Sequence, residues 1–182
     1  MKKTTQSPAM LTLRKITRLF ALVFLFLVIV GFFMSSSYRV ERSVSIDAPR
    51  DIVYENLLSG DLLTEWMYIE NGQVARFSNI LKEGDSVAIS YTGSDEQGLL
   101  SVTESTESVV RFNVQSRSTV ELVQNRIELV SDGNSTKVSW IIEGELKSGL
   151  LSPYLALFAN DIAGANFEFS LQSLKQQIEA RY

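Results

Sequence analysis

An uncharged run of 16 residues near the amino terminus, LFALVFLFLVIVGFFM at positions 19–34, constrains this chain more than any other feature. As a helix it would be about 24 Å long at roughly 1.5 Å per residue, slightly short of a ~30 Å hydrocarbon core. Arg18 can extend toward the head groups at one end, and residues 35–38 can lie in the interface at the other. The run therefore predicts a transmembrane helix over residues 19–37.

Charge around this run predicts its orientation. Residues 1–38 carry five basic side chains and no acidic one. Basic residues before a first membrane helix favour a cytoplasmic amino terminus, here residues 1–18, and a remainder outside an inner (plasma) membrane, in the periplasm of a bacterium. The alternative is a cleaved signal peptide, since MSSS supplies small residues after the run. The run is long for a signal peptide and lacks an A-x-A site, so a single-pass signal anchor is favoured.

The composition excludes several kinds of site. The chain has no cysteine and no histidine, which removes disulfides, thiolate catalysis, zinc-thiolate sites and every triad that needs an imidazole. No motif for a cofactor or a metal is present, and neither is predicted. Residues 39–182 hold the remaining 12 basic and all 21 acidic residues, a net charge of −9. Such a domain repels phosphate backbones, so nucleic acid is not an expected partner.

The pattern after the apolar run predicts an α+β domain over residues 38–182. A strand over 39–46 is followed by Pro49 and two short helices, the second of which begins near Asp61 and ends near Trp66. Phe167, Leu171, Leu174 and Ile178 form an apolar stripe of period 3.6 in a carboxyl-terminal helix. Between these helices, six short runs separated by turn residues predict an antiparallel meander, with strands over 73–80, 85–92, 98–106, 108–115, 119–130 and 136–146.

Four stretches of the domain resemble those of one superfamily. VERSVSIDAPRDIVYENLLSGDLLTEWM, VTESTESVVRF, GNSTKVSWIIEGEL and NFEFSLQSLKQQIEA look like the corresponding segments of START-like (SRPBCC) proteins of the polyketide cyclase/dehydrase and lipid-transport type. The resemblance covers roughly residues 38–181. It implies a helix-grip fold, in which a curved antiparallel sheet of about six to seven strands wraps around the long carboxyl-terminal helix. It also implies a tunnel between sheet and helix that holds apolar molecules.

The candidate cavity residues follow from this fold. Alternation in the last strand places Val138, Trp140 and Ile142 inward, and Ala163 and Gly164 at the start of the helical stripe would leave room for a ligand. Close helix packing at the two small residues, and a purely core role for Trp66, are the alternatives. The ligand-binding candidates are Trp66, Tyr91, Phe112, Trp140, Ile142, Tyr154, Phe158, Ala163, Gly164 and Phe167.

Few polar side chains are candidates for a site. Arg111, Arg117, Glu121 and Glu143 lie on or beside predicted strands and would orient a ligand if turned inward, although an exposed sheet face is their commoner environment. Glu121 and Glu143 are the only carboxylates worth considering as an acid/base pair, and their spacing does not require it. No catalytic residue is predicted.

The apolar segment SGLLSPYLALF, residues 148–158, joins the last strand to the long helix. Three interpretations are open: a gating lid, an edge that presents Leu150, Leu151, Tyr154 and Leu155 to lipid, or a short helix packed on the domain.

The sequence thus predicts a membrane-anchored START-like domain that binds a small hydrophobic or lipidic ligand, with the bilayer itself as a partner. A cyclase- or hydrolase-type enzyme of the same superfamily, and a filled-core protein-interaction module of the cell envelope, are the alternatives.

Overall fold

A long apolar helix, α1 (Pro8–Phe33), precedes every other element of the protein. The computed structural model describes residues 8–117, 122–146 and 149–182. Within these residues, Leu13–Phe33 is the one stretch long and apolar enough to cross a membrane, and its most apolar part is not buried against the rest of the protein. A signal sequence has the same length and composition, so both interpretations of the segment fit this helix.

Seven strands follow α1 and form one antiparallel sheet in the order β1-β7-β6-β5-β4-β3-β2. Two short helices, α2 (Arg50–Leu57) and α3 (Gly60–Trp66), lie between β1 and β2. The strands are β1 (Ser37–Ile46), β2 (Gly72–Val74), β3 (Ser86–Tyr91), β4 (Gln97–Ser105), β5 (Val109–Gln115), β6 (Val123–Asp132) and β7 (Ser135–Glu145).

Hairpins and one bulge give the sheet its curvature. Gly133, with a φ of 63°, occupies the two-residue turn between β6 and β7, where a left-handed residue matches the twist of the flanking strands. The β4–β5 register shifts between Val102 and Glu104, and such a bulge bends the strand that carries it. The result is a seven-strand antiparallel half-barrel. The predicted α+β class, strand number and long terminal helix are confirmed, and the architecture is consistent with the helix-grip fold.

The last helix, α4 (Ser152–Glu179), lies across the sheet and follows the direction of β1. Three hydrogen bonds fix this alignment: Arg42 Nη1 donates to Asn160 Oδ1 at 2.9 Å, Lys175 Nζ to the Ser45 carbonyl at 2.7 Å, and the Asp47 backbone N–H to Glu179 Oε1 at 2.8 Å. The predicted stripe faces the core: Leu171, Leu174 and Ile178 are buried and Phe167 is partly buried.

Two predicted boundaries are wrong. The strand expected over 73–80 ends at Val74, because the chain then turns to the α2–α3 corner, where the Gly60 N–H donates to the Asn79 carbonyl at 3.0 Å. The segment over 148–158 is not a separate connector. Residues 147–148 lie outside the described residues, Gly149–Leu151 forms a 3-10 turn, and α4 begins at Ser152. Pro153 in the first turn of α4 explains this, since proline there loses no helical hydrogen bond.

Candidate functional site

A groove opens between the inner face of the sheet and the middle of α4. Its volume is about 270 Å³. Side chains from the α3–β2 connection, from β5, β6 and β7, and from α4 line it: Met67, Tyr68, Ile69, Glu70, Val114, Val123, Asn125, Trp140, Ile142, Ala163, Asn166 and Phe167.

The groove lies at the end of the sheet nearest α1. Ile142 is paired with Val40 on β1, only three residues after the first residue of that strand, Ser37. Asn125 pairs with the same Ile142, and Val114 pairs with Val123 at the matching ends of β5 and β6. The end of the domain that carries the groove is therefore also the end that carries the apolar helix.

Trp140 forms the floor of the groove. Its ring stacks on that of Phe167 from α4, with centroids 4.1 Å apart and planes 7° from parallel. The ring of Trp66 also meets it edge-on, with centroids 5.7 Å apart, and the ring centroid of Phe112 lies 5.9 Å away. These aromatic contacts fix the position of the indole, so the floor is rigid.

The polar atoms at the floor already have partners within the protein. The Trp140 indole N–H donates to Asn125 Oδ1 at 3.0 Å, and the Asn125 side-chain amide donates to the Val123 carbonyl at 3.0 Å. Asn125 is only 5% exposed. Among the described residues, no buried side-chain nitrogen or oxygen lacks a hydrogen bond. The floor thus offers a ligand apolar surface rather than an unsatisfied polar group.

Two exposed aromatic side chains stand beside the mouth. Tyr68 lines the groove with 43% of its surface exposed, and its ring meets that of Phe169 edge-on at 5.2 Å. The backbone N–H of Tyr68 is held by Ser170 Oγ on α4 at 3.0 Å. Glu70, which is exposed, is the one charged side chain in the lining.

The structure brings four of the ten candidate residues to the groove: Trp140, Ile142, Ala163 and Phe167. Trp66 and Phe112 lie behind Trp140 in the core, and the Trp66 indole donates to the Leu57 carbonyl at 3.1 Å.

The other four candidates are outside the lining. Gly164 faces β1, where the Arg42 guanidinium occupies the space that a side chain would need. Tyr91 lies on β3, and Tyr154 and Phe158 lie near the start of α4. Burial raises the pKa of Tyr91, an effect that the nearby Arg117 charge partly offsets.

The polar candidates form ion pairs on the surface. Arg111 contacts Glu104 at 2.7 Å, Arg117 contacts Glu96 at 3.3 Å, and Glu143 pairs with Arg39. Each of the three is more than half exposed. Glu121 lies outside the described residues, so the Glu121–Glu143 pair stays a prediction.

A second depression, of about 370 Å³, lies on the outer face of the sheet. Its charged side chains are Arg111, Arg126 and Glu143, and each has an ion-pair partner. Exposed pairs of this kind contribute little energy and leave no unpaired charge aimed at a ligand. The inner groove is the better candidate site.

Several groove residues were not among the candidates. Met67, Tyr68, Ile69 and Glu70 come from a connection without periodicity, which carries no signal of burial in the sequence. Val123 and Asn125 follow from alternation in β6, because Asn125, Ile127 and Leu129 share one face. That pattern could have identified them.

Comparison with known proteins identifies the fold and no family. No protein-family model matches the sequence, and no curated protein matches it significantly. A Staphylococcus aureus protein of unknown function superposes with a TM-score of 0.62 at 14% identity, covering 80% of this chain and 96% of its own. A Chromobacterium violaceum protein superposes with a TM-score of 0.61 at 14% identity, and the match covers 78% of this chain and 96% of that protein. The structure of the Aha1 dimer from Colwellia psychrerythraea superposes with a TM-score of 0.55 at 16% identity, and the match covers 78% of this chain and 96% of the Aha1 chain.

Proposed function

We propose that the domain binds a small hydrophobic or lipidic molecule in the groove between the sheet and α4, and that α1 anchors it in a membrane. The observation that carries this proposal is the groove itself: mostly apolar walls, a rigid aromatic floor and, among the described residues, no buried side-chain nitrogen or oxygen left without a hydrogen bond. An open groove with such walls is the usual form of a small-molecule site.

The groove's size limits the ligand. Sites for drug-sized molecules usually enclose about 300–1,000 Å³, and this one encloses about 270 Å³. The ligand is therefore small, or only part of a larger lipid enters. Burial of its apolar surface supplies the affinity, at about 25 cal/mol per Å² before the costs of association.

Binding fits the groove better than catalysis. Tyr68 and Glu70 are its only titratable lining residues among those described, and both are at the exposed mouth. The buried floor around Trp140 carries no titratable side chain among the described residues. The open groove also favours a ligand-binding domain over a filled-core interaction module.

Two features support the proposed membrane anchor: the length of the apolar helix α1 and the basic residues near its amino end. The uncharged part of α1, residues 19–33, spans about 22 Å at roughly 1.5 Å per residue, and Arg18 at its amino end can extend toward the head groups, which brings the helix near the ~30 Å hydrocarbon thickness. The five basic residues near the amino terminus favour that end in the cytoplasm, with the domain on the opposite side of an inner membrane.

The proposal is tested by native mass spectrometry of the full chain, purified in mild detergent, followed by lipid extraction. We expect an apolar molecule to be retained in near-stoichiometric amount. Replacing Ala163 with tryptophan fills the groove and should abolish retention. Ala165→Trp is the matched control, because Ala165 lies two residues away on the exposed side of α4.

Two results would contradict the proposal. One is a ligand-free mass for the wild-type chain even after incubation with a lipid extract. The other is equal retention by the Ala163→Trp and Ala165→Trp variants, which would place the bound molecule outside the groove. Circular dichroism establishes that both variants are folded.

A further inference from the structure

The start of α4 and the 3-10 turn before it expose an unusual amount of apolar surface. Across Gly149–Leu151 and the first turns of α4, the sequence GLLSPYLALF carries no charge. Five of its side chains are at least 44% exposed: Leu150, Leu151, Leu155, Leu157 and Phe158. Leu151, Leu155 and Phe158 follow i, i+4, i+7 spacing and so form one continuous face. Contiguous exposed apolar surface marks contact with a membrane or a protein.

This segment, residues 149–158, packs against the carboxyl-terminal half of α1. The Tyr154 hydroxyl donates a hydrogen bond to the Leu27 carbonyl. The Tyr154 ring also covers Gly31, where an added Cβ would lie 3.2 Å from ring atom Cε2. The Leu150 carbonyl oxygen lies near the same glycine, 3.7 Å from that position. The contact joins α1 to the domain at a fixed point along the helix.

The depth of this contact follows from helix geometry. Leu27 precedes the last residue of α1, Phe33, by six residues, or about 9 Å along the axis. With α1 spanning a bilayer, as proposed above, Leu27 lies inside the hydrocarbon layer. Whatever is bonded to its carbonyl lies there too.

The chemistry of the segment suits that environment. Beyond its first turn a helix satisfies its own backbone groups, as hydrocarbon requires, and Pro153 in that first turn has no N–H to leave unpaired. The Tyr154 hydroxyl has the Leu27 carbonyl as its partner. The first charged residue after the segment is Asp161, seven residues beyond Tyr154, or about 10 Å along α4. That rise is enough to bring the exposed Asp161 carboxylate back to water.

We propose that residues 149–158 are embedded in the outer leaflet of the membrane beside α1, with Leu151, Leu155 and Phe158 against the acyl chains. Phe158 precedes Ala163, in the groove wall, by five residues, or about 7.5 Å along α4. The embedded segment therefore brings the groove to the leaflet surface, and an apolar ligand passes between them without crossing much water. The inference rests on the proposed membrane anchor.

The absence of cysteine from the sequence allows a clean test, because each introduced cysteine is the only thiol. We would label three full-length single-cysteine variants with an environment-sensitive fluorophore in phosphatidylcholine/phosphatidylglycerol vesicles. Leu155→Cys reports on the segment and Leu22→Cys on α1. Val130→Cys reports on the far end of the sheet, beside the β6–β7 hairpin. Aqueous iodide and a nitroxide-bearing lipid serve as quenchers.

We expect the label at position 155 to behave like that at 22, quenched by the nitroxide lipid and protected from iodide, while the label at 130 shows the reverse. If iodide quenches the label at position 155 while the label at position 22 is protected from iodide, the inference is overturned and the anchor is left intact. Protection at 155 from both quenchers would assign the surface to a protein partner or a second copy. Iodide quenching at 22 would overturn the anchor and, with it, the inference.

Discussion

Asn125 shows how one residue connects stability with the proposed site. Its side-chain oxygen accepts the Trp140 indole N–H, and its amide is held by the Val123 carbonyl. An asparagine is an unfavourable residue in a buried strand unless both ends of its amide are paired. Here the pairing orients the indole that forms the groove floor.

We expect Asn125→Ala to lower the free energy of unfolding by about 1–3 kcal/mol, because the buried indole N–H loses its partner. Urea unfolding of the full chain in detergent, followed by circular dichroism, measures the change. Asn113→Ala is the matched control, since Asn113 lies on the neighbouring strand but on the outer face. Equal losses for the two variants would show that the Trp140–Asn125 bond does not stabilise the fold.

At the scale of elements, the junction between α3 and α4 holds the groove wall in place. Ser170 is fully buried; its hydroxyl accepts the Tyr68 N–H at 3.0 Å and donates to the Asn166 carbonyl at 2.8 Å. Tyr68 and Asn166 both line the groove. A single hydroxyl therefore sets the spacing between the connection after α3 and the helix opposite it.

Replacing Ser170 with alanine should cost about 1–3 kcal/mol of stability, since the Tyr68 N–H is left without its acceptor. Ser173→Ala is the comparison: Ser173 lies on the same helix and makes one longer bond, of 3.3 Å, to the Glu65 carbonyl at the surface. We expect that variant to stay within about 0.5 kcal/mol of wild type. A larger loss for Ser173→Ala than for Ser170→Ala in urea unfolding would contradict this role of Ser170.

The sequence predicted elements well where local chemistry determines them. Gly133 marks the β6–β7 hairpin, and the period-3.6 stripe through Leu171, Leu174 and Ile178 identifies the buried face of α4. Alternation in β7 predicts Trp140 and Ile142 on one face of the strand, and both line the groove. These features depend on neighbours in sequence, so a single chain reveals them.

Features that depend on distant partners could not be predicted. Gly164 looks like space in the sequence, but the Arg42 side chain from β1 fills that space. The strand expected over 73–80 ends early because its continuation bonds to the α2–α3 corner. The contact of Tyr154 with Leu27 joins residues 127 positions apart. No local pattern encodes such contacts.

For the whole molecule, the charge distribution predicts an orientation. With the five amino-terminal basic residues intact, we expect a cysteine introduced at Asn134, in the exposed β6–β7 turn, to react with a membrane-impermeant maleimide in bacterial spheroplasts. Changing Arg14, Lys15 and Arg18 to glutamine should reduce that labelling, because the positive charge that retains the amino terminus is weakened.

Labelling only after the spheroplasts are broken would place the domain in the cytoplasm and contradict the predicted orientation. Unchanged labelling of the glutamine variant would show that these three basic residues do not set the orientation of the chain in the membrane. The parent chain, which has no cysteine, supplies the background signal.

The short passage from α1 to β1 limits how far the proposed ligand-binding domain can move from its proposed membrane anchor. Only residues 34–36 separate Phe33 from Ser37, and three extended residues reach about 10 Å. With α1 in a bilayer, the domain cannot cross an aqueous compartment as a shuttle between two membranes. A ligand bound as proposed would then have to return to the same leaflet or be passed to another protein that comes within that distance.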